Sequence, residues 1–189
     1  NRLISWFVKF KLLSDNSSQW SSKLNNFLSQ YEELKNSTNI DEFQMEEIKK
    51  DLPDIIPRDL GRSFKLFNSY LESLNLQEDY FTNSEFRIHR IFYFLDKNCP
   101  NFDYLQGYDR FVYYCVCISI SFCIELNLDP NAIEAFAYYA SYYFISYVSI
   151  AKDVLDPDLN LLIMSEFDGF LNTWSAPTAS AYKYQSLKP

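Results

Sequence analysis

Glycine is scarce in this chain, with three residues in 189, and proline contributes only seven. So few turn formers exclude a protein of many short strands and favour long helices. Gly61, Gly107 and Gly169 are also too scattered to form a phosphate-cradling loop. Histidine is scarcer still. His89 alone cannot complete a zinc site with the four cysteines, nor supply a Ser-His-Asp or Cys-His nucleophilic set. It reads instead as a packing or surface residue. Cys115 and Cys117 lie two apart, on different faces of a helix, and no second pair follows. With Cys99 and Cys123 they read as buried free thiols in a reducing, intracellular compartment. Basic charge is lacking too: 17 Lys and Arg against 25 Asp and Glu give a net charge of −8. No basic stripe is available to neutralise a phosphate backbone, which excludes nucleic acid as a partner and disfavours anionic membrane surfaces. No cofactor or metal is expected. The opening residues carry charges through their apolar run and do not make a signal-peptide core.

What the chain has is aromatic bulk. Hydrophobic residues make up 48%, with 17 Phe and 15 Tyr, assigned to core packing rather than to a base-stacking platform. Apolar positions step by three and four over 2–13 (Leu3, Trp6, Phe7, Phe10, Leu13) and over 19–35, predicting two helices. Residues 36–40 read as a connector, Asp41 as the cap of a helix over 42–51, and Glu46, Glu47, Lys49 and Lys50 as its solvated face. Pro53 and Pro57 bracket a stretch expected to be non-helical, since each proline disfavours the α region in its predecessor. Helices follow from Arg58 or Leu60 to Leu74, and from a Thr82 or Asn83 cap to the bend at Pro100. Next come a buried helix over 109–126, one opened by Asp129-Pro130 and running to 151, and one opened by Asp156-Pro157. The fold expected is all-α, about eight helices around an aromatic-rich core, in one domain over 1–175 with an irregular tail over 176–189. Two uncharged runs, 14 residues at 111–124 and 17 at 135–151, fall short of the ~20 apolar residues that a spanning helix needs. Buried helices explain both; membrane contact is not favoured.

The most informative stretch is Arg90-Ile-Phe to Asn98-Cys-Pro100 and on to Tyr104-Leu-Gln106-Gly107. Taken alone, it is a helix–turn–helix corner capped by a tyrosine and a glutamine. Its glycine lets another backbone or a ligand approach closely. Its company adds more: Arg2-x-x-x-Trp6, then Ile48-Lys-Lys-Asp51-Leu-Pro53-Asp54, both upstream and in order. This series resembles the TBC domain of Rab GTPase-activating proteins, whose motifs run Arg-x-x-x-Trp, Ile-x-x-Asp-x-x-Arg, Arg-Ile-Leu, Asn-Pro and Tyr-x-Gln-Gly. The resemblance covers about 2–128. The usual C-terminal helical portion of that family is expected to be truncated or replaced here.

The resemblance implies a helical domain that binds a Rab-like small GTPase and supplies two catalytic fingers in trans. Gln106 and Gly107 match the glutamine finger, which orients the attacking water, and Tyr104 and Asp51 match motif positions expected at the partner-binding edge. The arginine finger, worth about 10³ to 10⁵ in rate, is absent. Asp54 stands at its position, and a carboxylate there opposes the charge that the transition state develops. Arg58, four residues on, is the candidate substitute; Arg62 lies further along. Tyr108-Asp109 also replaces the family's usual Met-Asn. The function expected is therefore a pseudo-activator, a TBC-like binding or structural component of a larger assembly with other protein subunits. The alternatives are an active Rab GTPase activator using Gln106 with a displaced Arg58, and a helical subunit of a membrane-associated complex. The expected location is the cytoplasm, or attachment to a cytoskeletal, organelle or membrane complex.

Overall fold

The three- and four-residue apolar steps become seven α-helices among the residues described by a computed structural model, namely 2–9, 12–38, 44–74, 78–100 and 102–153. They are α1 (Arg2–Lys9), α2 (Trp20–Thr38), α3 (Met45–Asp51), α4 (Ile55–Ser73), α5 (Ser84–Asn98), α6 (Tyr108–Leu126) and α7 (Ala132–Asp153). No strand occurs among the described residues, so the all-α expectation holds at that level. Asn1–Ser146 form one compact unit; a second, Tyr147–Pro189, is described only where α7 runs on to Asp153. The helix expected after Pro157 and the domain end expected near 175 lie outside the described residues, as does the Asp41 cap.

Two boundaries differ from the periodicity for identifiable reasons. Helix α1 is described as far as Lys9, and the Leu12 and Leu13 amides turn back to the Phe7 carbonyl at 2.8 and 3.1 Å, with both leucines buried. Helix α2 continues through the predicted connector to Thr38, because the Ser37 and Thr38 hydroxyls bond back to the Leu34 and Lys35 carbonyls.

The stretch between Pro53 and Pro57 corrects the expectation most. It is not an extended link: α4 already starts at Ile55, and Pro57 sits inside its first turn. A proline there gives up an amide that has no intrahelical partner anyway, and its fixed φ suits the helix. Asp54 is thereby the residue that opens α4, and Arg58 stands one turn later on the same face, its amide 3.4 Å from the Asp54 carbonyl.

The aromatics fill the core as expected. Phe7, Phe92, Phe94, Phe122, Phe136 and Tyr31 are all fully buried, and removing each such ring from water contributes about 1.5–3 kcal/mol. Trp6 stacks on Phe111 and Phe144, which are themselves stacked with centroids 3.8 Å apart. Tyr113 of α6 lies flat on Phe67 of α4 at 4.3 Å, and its hydroxyl meets that of Ser63 at 2.9 Å. Helix α6 is thus covered by α1 and α4. No described helix is long and apolar enough to cross a membrane. All four cysteines are buried free thiols, and burial pushes the Cys115 and Cys123 thiols up to about 12.

Candidate functional site

The Tyr-Leu-Gln-Gly corner is a tight turn that launches α6. The Tyr108 amide bonds the Leu105 carbonyl at 3.0 Å, closing the turn over Gln106 and Gly107. Gly107 adopts φ 109° and ψ −14°, the backbone that the third position of a type II turn demands and that a side chain resists. An added Cβ would meet nothing within 4 Å, so the objection to other residues is conformational. Gly107→Ala is expected to destabilise the chain by about 1–2 kcal/mol, measured by urea unfolding, with no change in slope. Gln106 is left at the tip, exposed and without a hydrogen-bond partner among the described residues.

Tyr104 anchors the corner. Its ring meets Phe92 and Tyr108 edge-on, and its hydroxyl donates to Asp59 Oδ2 of α4 at 3.2 Å. Burial, then the nearby Asp109 and Asp59 carboxylates, push this phenol well above its ordinary range, so it stays a donor. Asp59 is buried; its other oxygen accepts from Arg62 Nη1 at 3.4 Å. Asp109, also buried, sits in the first turn of α6, where the helix dipole favours an anion.

Helix α3 and the start of α4 carry the other motif. Ile48 and Leu52 are buried and hold α3 against α5. Asp51 ends α3 with its side chain exposed, and its carbonyl accepts from Lys97 Nζ of α5 at 3.5 Å. Asp54 is exposed, and its side chain makes no capping bond. Arg58 is exposed with no ion-pair partner among the described residues. The sequence-predicted residues therefore fall in two groups: Tyr104, Gln106 and Gly107 in the corner, and Asp51, Asp54 and Arg58 around the α3–α4 turn. Asp59 joins the groups, and Arg62, not Arg58, is tied to the corner through it.

Sequence reasoning passed over Asp59, although its spacing to Ile56 and Ser63 puts it on the inward face of α4. It also missed the most buried charge. Glu134 of α7 accepts from Tyr31 Oη at 2.8 Å, Arg87 Nε at 2.9 Å, and Arg90 Nε and Nη2 at 2.7 and 2.6 Å. Burial alone would raise this carboxyl, but the Arg90 hydrogen bonds and charge, helped by Arg87 and Tyr31, hold it below its usual value. Arg90, quoted in the sequence for its place in the Arg-Ile-Phe motif, is thus a structural tie between α5 and α7. The signal was two arginines three apart on a helix otherwise built for burial, which require an anion.

His89 is the other buried polar group, 2% exposed. Its Nδ1 lies 2.8 Å from the Glu85 carbonyl, while Nε2 has no partner. A carbonyl can only accept, so Nδ1 carries the hydrogen and Nε2 is a bare lone pair in the interior. Burial lowers its pKa, with Lys49 adding to that; the Glu85 carbonyl, Glu85 and Glu46 oppose it.

No family model, no curated protein and no solved structure matches this chain. No group of three or more potential metal ligands lies together among the described residues.

Proposed function

We propose that this chain is a non-catalytic TBC-like domain, a binding or structural component of a larger assembly whose partners are protein subunits or a Rab-like GTPase. One observation carries the reading: the exposed residue that opens α4, where the motif order asks for an arginine, is Asp54. Around the corner itself the charged groups tied to Tyr104 are two further carboxylates, Asp59 and Asp109. A phosphoryl transition state gains nothing from carboxylates at close range. Gln106 remains exposed on a hydrogen-bonded turn, which suits contact with a partner and leaves it without a charge-neutralising companion.

An active GTPase activator is the second reading, and Arg58 is the observation in its favour, being exposed, unpaired among the described residues and one helical turn from Asp54. Single-turnover GTP hydrolysis by a panel of Rab proteins separates the two. The pseudo-activator leaves the intrinsic rate unchanged. An acceleration of about a hundredfold, modest beside the ~10³ to 10⁵ of an arginine finger, overturns it if Arg58→Ala abolishes the effect.

A further inference from the structure

Helix α4 carries a solvent-facing strip that runs against the character of the rest of the chain. Arg58, Arg62 and Lys65 are all exposed on it, in a protein whose net charge is −8. Asp54 and Glu72 mark its two ends. Arg58 and Lys65 have no ion-pair partner among the described residues, while Arg62 is held by Asp59. Two large apolar side chains border the same face, Ile55 at 43% exposed and Leu66 at 70%. Their separation, three helical turns, keeps them on one line.

Between Arg58 and Lys65, at i+3 and i−4, lies Gly61. It is an exposed glycine in a helix interior, where alanine would be more stable, and an added Cβ would meet nothing within 4 Å. Among the described residues, neither a turn nor packing calls for glycine here. A bare backbone flanked by two free cations is a notch into which another helix can settle closely, and positions that break a local rule tend to be functional ones.

We propose that this face of α4 is a docking site for an acidic amphipathic helix of another protein, with Ile55 and Leu66 taking its apolar edge, Arg58 and Lys65 its carboxylates, and Gly61 its close backbone approach. The inference rests on the reading of the chain as a binding component and names the chemistry of the partner. Charge complementarity selects the sign of that partner, since like charges opposite one another are strongly disfavoured.

The test uses an amphipathic helical peptide of about 18 residues, Leu on one face bordered by Glu, beside its counterpart with every Glu changed to Lys. Titration calorimetry or fluorescence anisotropy on the full chain should show binding of the acidic peptide alone, weakened by salt. The double variant Arg58→Glu/Lys65→Glu should lose at least about tenfold in affinity. Gly61→Ala should raise the melting temperature while weakening binding, so the loss cannot be ascribed to unfolding. Equal binding or no binding of both peptides, or binding indifferent to the double variant, overturns the proposal. So does a concentration-dependent dimer that the double variant converts to monomer, which would make a second copy of this chain the occupant. GTP hydrolysis by Rab proteins, assayed on the same material, judges the pseudo-activator reading independently: acceleration there with acidic-peptide binding intact overturns only that reading.

Discussion

Glu134→Ala is expected to cost about 3–5 kcal/mol, the penalty for leaving buried charge uncompensated. The Arg87 and Arg90 side chains are 8% and 13% exposed, and Glu134 is their shared carboxylate partner. Removing it leaves both guanidiniums without a counter-charge: Arg90 retains the Phe86 ring beside it, and Arg87 the Phe81 ring and a 3.4 Å hydrogen bond from Nη2 to the Pro130 carbonyl. Chemical unfolding measures the loss directly. Replacing the set together, Glu134→Met with Arg87→Met and Arg90→Met, should be far less damaging, because no charge then remains to be desolvated. If the single and triple changes cost the same, the network is packing and not charge. The sign with pH follows from the depressed carboxyl: its contribution is fully present above the ordinary Glu value of about 4.3 and is lost as pH falls through the folded value.

His89 gives the second large effect, in a separate window. A proton on Nε2 would have no acceptor in the interior, so the unfolded chain binds that proton more readily. With the folded pKa lowered, stability is fully present above the ordinary imidazole value of about 6.5 and declines as pH drops below it, until the folded imidazole is protonated as well. The chain has one histidine, and most carboxylates titrate lower, so the decline just below about pH 6.5 is assignable. His89→Phe, which keeps a ring and removes the titration, should flatten the profile there. The site lies where α5 packs on α3, beneath the Glu46–Lys49–Glu85 ion pairs. Acid loosening should therefore appear first as lowered hydrogen-exchange protection in α3. An imidazole that titrates at 6.5 by NMR with no change in stability contradicts this.

Helix identity was legible from the sequence because the apolar residues step cleanly by three and four, and scarce glycine left no alternative. Boundaries were not. Pro57 reads as a breaker until its position in the first turn is known, and that position depends on where Leu52 and Ile56 are buried, a tertiary fact. The corner at Tyr104 to Gly107 was legible as a turn from Gly107 ahead of a polar-to-apolar change. What the corner leans on was not, since Asp59 is forty-five residues away along the chain and no local pattern links it to a tyrosine. Glu134 lay unnoticed at the edge of an uncharged run for the same reason. Its partners come from α2 and α5, so its role exists only once the helices have packed.

The same separation bears on function. Asp51, Asp54, Arg58 and Gln106 are exposed where a partner could touch them, while the polar groups with strong internal partners, Asp59 and Glu134, are committed to the fold. In the proposed pseudo-activator, Asp54 is an exposed carboxylate at the position for which the TBC-like motif order asks for an arginine. The most direct measurement is affinity for a Rab GTPase loaded with GDP and aluminium fluoride, a mimic of the phosphoryl transition state, against the same GTPase loaded with a non-hydrolysable GTP analogue. An activator holds the mimic more tightly, because catalysis is preferential binding of the transition state. The account predicts no gain in affinity with aluminium fluoride for the wild-type chain; a gain of about tenfold or more would contradict it.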